Sequence, residues 1–125
     1  MNSKLKKAIG AAIVGGLETD GEGNTTGVFR FGADFPGFAG HFPGYPVLPA
    51  VVQVLTAQVL VEQLRGRTLI MRRLERAKFH KQVRPGQTLR VSCRERRKGV
   101  WDARLEADGE PAAAFWMTLF EEGEG

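Results

Sequence analysis

Cysteine occurs once in this 125-residue chain, as Cys93, and histidine twice, as His41 and His80. One thiol cannot close an intrachain disulfide, and it cannot build a multi-cysteine metal site. His80 and Cys93 stand apart from each other, and no glycine-rich phosphate loop opens a helix, so neither a metal nor a nucleotide site is expected. No apolar run reaches the roughly 20 residues that a membrane span requires. Internal repeats and linkers are absent too, which leaves one domain over residues 1–125.

What is present is ordinary for a folded soluble chain: 42% hydrophobic and 26% charged residues. At its start, "KLKK" followed by "AIGAAIVGGL" has the order of a short secretory leader. Cleavage there would strip the partner from the next apolar segment. "AAIVGGLETD", "GEGN" and "TTGVFRFGAD" read together as strand, turn and strand, with the lysines solvated ahead of them. A cytoplasmic location is therefore expected.

The run from Pro49 to Arg65, "PAVVQVLTAQVLVEQLR", is read as a helix with proline at its first position and Gly66 just past its end. It is apolar on nearly every side, so it must be buried. That makes its polar members Gln53, Thr56, Gln58, Glu62 and Gln63 the residues to explain. Strands follow: "TLIMRRLERAKFHKQV", a turn at "RPGQ", "TLRVSCRERR", a Lys98-Gly99 turn, "VWDARLEA", an Asp108-Gly109 turn, and "AAAFWMTLF". Charged and apolar residues alternate through them, as in a sheet wet on one face. The expected class is α+β: one antiparallel sheet around one buried helix.

Ahead of the helix, "GHFPGYPVLPAVV" fixes His41 among prolines, glycines and aromatics. This segment resembles the signature of the β-hydroxyacyl-acyl carrier protein dehydratases of fatty acid biosynthesis, the FabA/FabZ type, which have the hotdog fold. "DFPGFAGHF", "LERAKFHKQVRPGQTLRV" and "RRKGVWDARLEADGEPAAAF" extend the resemblance over roughly residues 10 to 120. It implies a lyase that eliminates water from a β-hydroxyacyl thioester. The implied assembly is a homodimer or higher even oligomer, with each site built from two chains.

That elimination needs a base for the α-proton, an acid for the departing hydroxyl, and donors for the enolate-like oxygen. By the resemblance, His41 is the base, and the backbone amides of Ala50 and Val51 at the helix start are the donors. The family usually has glycine at the position of Ala50. It carries a glutamate or aspartate on the central helix, and the ungapped match of His41 and Pro49 puts Leu55 there. Leucine cannot donate a proton. Glu62 shares that face, but seven residues place it about 10 Å further along the helix. Gln58, one turn on, is the polar residue left to assist through a water, or else a core amide with a backbone partner.

Leu55 keeps two alternatives open: a hotdog thioesterase using His41 and the helix amides, and an acyl-binding pseudoenzyme. The net charge of +4 and the basic run of Arg76, Lys78, Lys81 and Arg84 suit an acidic acyl carrier protein, the docking partner the resemblance implies. No nucleic-acid partner is expected, since the one helix read from the sequence is buried, and no membrane partner, since no apolar run is long enough to span one. No cofactor is expected beyond the carrier's phosphopantetheine, on which the substrate arrives.

Overall fold

Residues of the apolar run after Pro49 are helical, and the rest of the chain is arranged to cover them. The computed structural model describes residues 3–38, 44 and 46–123. They form α1 (Ser3–Ala11), β1 (Ile13–Thr19), β2 (Asn24–Arg30), a short 3-10 turn (Pro36–Phe38), α2 (Ala50–Arg65), β3 (Ile70–Phe79), β4 (Thr88–Arg97), β5 (Val100–Ala107) and β6 (Glu110–Phe120). The six strands make one antiparallel sheet in the order β1-β2-β4-β5-β6-β3. With α2 buried against it, this is the α+β hotdog arrangement that the sequence implied.

Val52 to Val61 of α2 are all buried. The apolar side chains of β4, β5 and β6, including Leu89, Val91, Cys93, Leu105, Phe115 and Met117, pack against them in the same core. Gly27 shows how tightly β2 approaches: a Cβ built there would lie 2.8 Å from Leu60 Cδ1. A larger residue there would have to displace the Leu60 side chain. Pro49 proves to be the residue before the helix rather than its first member, with extended φ and ψ and no side-chain cap. Gly66 ends the helix in a left-handed conformation, its amide donating to the Glu62 carbonyl.

The N-terminus corrects the reading of the sequence. The lysines do not precede a strand as a solvated run; Ser3–Ala11 is a helix, and β1 begins only at Ile13. Leu5, Ala8, Ile9 and Ala12 recur at helical spacing, and Ile9 is fully buried. Lys6 reaches from this helix to Glu62, with its ammonium 2.7 Å from the carboxylate.

Gly99 holds the β4–β5 turn at a φ of +81°, where a Cβ would sit 3.1 Å from the Leu119 carbonyl oxygen and 3.0 Å from the Phe120 ring. Left-handed backbone costs an alanine roughly 1–2 kcal/mol, and the contacts add to that. Gly99→Ala should lower stability by at least about 1 kcal/mol, read as a lower urea midpoint with an unchanged slope.

Candidate active site

The start of α2 is open. Val52 and Gln53 donate to the Pro49 carbonyl, so the Ala50 and Val51 amides have no acceptor within the helix. Both residues are exposed, Val51 to 72%. Two N–H groups without an intrahelical acceptor and the positive end of a 16-residue helix can hold a developing oxyanion. Leu48 donates to the Val83 carbonyl at 2.7 Å, which ties the approach to the helix onto the loop after β3. His41, the base implied by the sequence, lies outside the described residues.

Leu55 is 7% exposed and belongs to the continuous core. Gln53, Thr56, Gln58 and Glu62 of the helix each make a side-chain bond. Thr56 Oγ1 donates to the Val52 carbonyl at 2.8 Å, and Gln53 Nε2 donates to the Leu48 carbonyl at 3.1 Å. Gln58 Nε2 donates to the Leu69 carbonyl at 2.9 Å and lies 3.5 Å from Glu62 Oε2. Gln58 is thus a buried amide with a backbone partner, and its N–H is committed away from Leu55. Glu62 Oε2 accepts from Lys6 and from the Leu69 amide at 2.8 Å, so it is bound at the far end of the helix. Gln53 Oε1 is buried and has no hydrogen-bond partner among the described residues.

Cys93 is not a nucleophile. Burial, helped by the charge of Asp102, pushes its thiol far above the usual range. Among the described residues no group of His, Cys, Asp and Glu could hold a metal ion, and no helix is long and apolar enough to cross a membrane.

The four basic residues read as a docking surface divide in two. Lys81 and Arg84 flank Val83, beside the start of α2, and Lys81 pairs with Glu110. Arg76 sits on β3 at a bulge between Glu75 and Lys78, with a φ of 53°. Its guanidinium lies 4.5 Å from the Trp116 ring centroid, and Arg96 lies 4.1 Å from the same ring. Two stacked cations on one indole make a strongly positive platform. Asp102 bridges Arg96 and Arg104 at 3.7 and 3.5 Å.

A family model described as ApeI dehydratase, of the ApeI-like family, matches residues 18–114. The chain belongs to the ApeI-like dehydratases. This ApeI-like chain is 34% identical over 114 positions to a 3-hydroxyacyl-[acyl-carrier-protein] dehydratase FabZ of Rickettsia bellii, covering 82% of this chain and 79% of the relative. A FabZ of Latilactobacillus sakei is 36% identical over 96 positions, covering 68% and 69%. Among solved structures, a chain of the dehydratase heterocomplex ApeI:P from Xenorhabdus doucetiae superposes with a TM-score of 0.73 at 23% identity, over 83% of this chain and 93% of that one. The PaaI protein of E. coli shares the fold at a TM-score of 0.65 and 18% identity, covering 96% and 89%.

Proposed function

We propose that this ApeI-like chain is a hydro-lyase that removes water from a 3-hydroxyacyl thioester presented by an acyl carrier protein. The observation that carries the reading is the open start of α2. Two amides without an intrahelical acceptor stand there, in a chain whose FabZ relatives are dehydratases of carrier-bound hydroxyacyl groups. His41 takes the α-proton, and the Ala50 and Val51 amides hold the thioester oxygen as charge moves onto it. No resident cofactor takes part, and a reaction on soluble carrier intermediates belongs in the cytoplasm.

The departing hydroxyl still needs a proton, and Leu55 favours a particular assembly. A second hotdog chain can bring a carboxylate to the position where this chain has leucine. β3 offers the place: it is an edge strand that exposes Ile70, Leu74 and Phe79. A chain paired there extends the sheet and covers those side chains. A homodimer formed in this way contributes Leu55 twice. A mixed pair with an acid-bearing chain completes one site, and the Xenorhabdus dehydratase ApeI:P is itself a heterocomplex.

Carrier docking supplies the test. Wild type should convert a carrier-linked 3-hydroxyacyl group to the enoyl product, whereas a saturated acyl thioester should not be hydrolysed. Lys81→Glu with Arg84→Glu, in the loop after β3, should cut kcat/KM for the carrier-linked substrate about tenfold and flatten its salt dependence. Turnover of a small uncharged thioester mimic should stay unchanged. Hydrolysis of the saturated thioester would replace the lyase with a thioesterase, and equal losses on both substrates would remove the docking role.

A further inference from the structure

Two arginines from different strands meet over one ring on the outer face of the sheet. Trp116 lies between Phe115 and Met117, whose side chains are buried in the core, so its half-buried indole points away from α2. Arg76 reaches it from β3 and Arg96 from β4, at 4.5 and 4.1 Å from the ring centroid. Each arginine sits at a bulge. Arg76 and Ala77 together oppose Phe115, between the pairs Glu75–Trp116 and Lys78–Ala114. Arg96 is the extra residue between the pairs Glu95–Trp101 and Arg97–Val100. A bulge takes a residue out of the ladder and re-aims its side chain, and here two bulges aim at the same indole. Arg76 also has a φ of 53°, a conformation that glycine adopts without strain. One exposed cation–π contact returns less than that conformation costs an arginine.

We propose that Arg76 and Arg96 form a binding site for a phosphate group. Two like charges held against one ring repel each other until an anion lies between them. The charges around them have mostly the same sign. Arg94 faces Asp102 in the β4–β5 register, and Asp102 is shared by Arg96 and Arg104 at 3.7 and 3.5 Å. Glu75, the other carboxylate beside Trp116, lies 3.9 Å from Arg73. Arg73, Arg76, Arg94, Arg96 and Arg104 thus stand against two carboxylates, Asp102 and Glu75. The paired arginines also select the class of anion. A guanidinium is a planar fork that takes two oxygens, so a carboxylate satisfies one fork and has nothing left for the second. A phosphate monoester or a pyrophosphate has oxygens for both. Arg76 and Arg96 are exposed, so the rest of the ligand stays in solvent. The site does not draw on the lyase, because Trp116 faces away from α2.

The chain has two tryptophans, and so two indole N–H signals in a proton–nitrogen NMR spectrum. Trp101 is 4% exposed and serves as the internal reference. As pyrophosphate is added at constant ionic strength, the Trp116 signal should move and saturate while the Trp101 signal stays. Glutarate, a dianion with carboxylates only, should bind at least about tenfold more weakly. Arg76→Gly keeps the bulge, because glycine accepts its φ, and removes the guanidinium. That variant should weaken pyrophosphate binding at least about tenfold, with a urea midpoint that is unchanged or higher. Arg96→Gln should weaken it by as much. Vesicles of phosphatidylcholine with and without phosphatidic acid then separate the sources of the phosphate. Pyrophosphate binding without cosedimentation assigns a soluble phosphorylated molecule, and binding together with cosedimentation on phosphatidic acid assigns a lipid headgroup. Equal movement of both indole signals, glutarate as tight as pyrophosphate, or binding that survives either substitution overturns the proposal. So does an Arg76→Gly variant that loses stability, because the arginine would then be held there by the fold.

Discussion

Leu55→Glu should raise the dehydration rate of the isolated chain by at least about tenfold, within the range that one positioned general acid supplies. By the resemblance, Leu55 stands at the position of the family's helix carboxylate, and it is buried in the core. A carboxyl placed there loses water of hydration, which disfavours its charged form and keeps a proton available near neutral pH. That proton is what the departing hydroxyl lacks. The cost is a polar group at an apolar position, about 1–3 kcal/mol, which should appear as a lower urea midpoint. The gain requires an assembly in which Leu55 faces the substrate. A glutamate variant no faster than a wild type that is itself slow would show that it does not. A fast wild type that the glutamate slows would show that another group already delivers the proton, and a partner chain's carboxylate becomes the first suspect.

The second large effect concerns the base. His41→Ala should lower turnover about a hundred- to ten-thousandfold in both the wild-type and Leu55→Glu backgrounds. Imidazole titrates near neutrality, so it can take a proton from carbon and pass it on within one cycle. The proposed oxyanion donors are backbone amides of Ala50 and Val51, and they survive the substitution. Thioester binding should therefore persist while kcat falls, and this split separates a lost base from a lost fold. Unchanged kcat in the alanine variant would remove His41 from the reaction and leave a chain that only binds acyl groups.

Much of this fold can be read from local sequence, and the exceptions share a cause. β4 and β5 coincide with the segments read as strands because their faces alternate and their turns carry Gly99 and Gly109 at positive φ. α2 is legible because a helix apolar on all sides has only one place to go. α1 escapes notice because "SKLKKAIGA" is short and runs straight into a strand. What makes it a helix is packing, with Ile9 buried in the shared core and Lys6 bonded to a residue 56 positions away. The site divides along the same line. Leu55 and the helix amides follow from the ungapped match to the family signature, since they lie on one continuous element. The bonds that hold Gln58 and Glu62 do not, because their partners Leu69 and Lys6 come from outside the helix. Lys6 could have been found by asking what neutralises Glu62 on a helix otherwise without charge until Arg65.

Cys93 has a practical consequence. Its sulfur lies 3.9 Å from the Ala57 carbonyl, on the inner face of β4 between the sheet and α2, and 1% of the residue is accessible. A thiol reagent can reach it only when strand and helix separate. The time course of its labelling therefore measures how often the core parts, using a probe already placed at the centre of the molecule. With one cysteine in the chain, the signal carries no contribution from any other thiol. Labelling that speeds up as acyl thioester is withdrawn would read the stabilising effect of the ligand as a clock rather than as a binding curve.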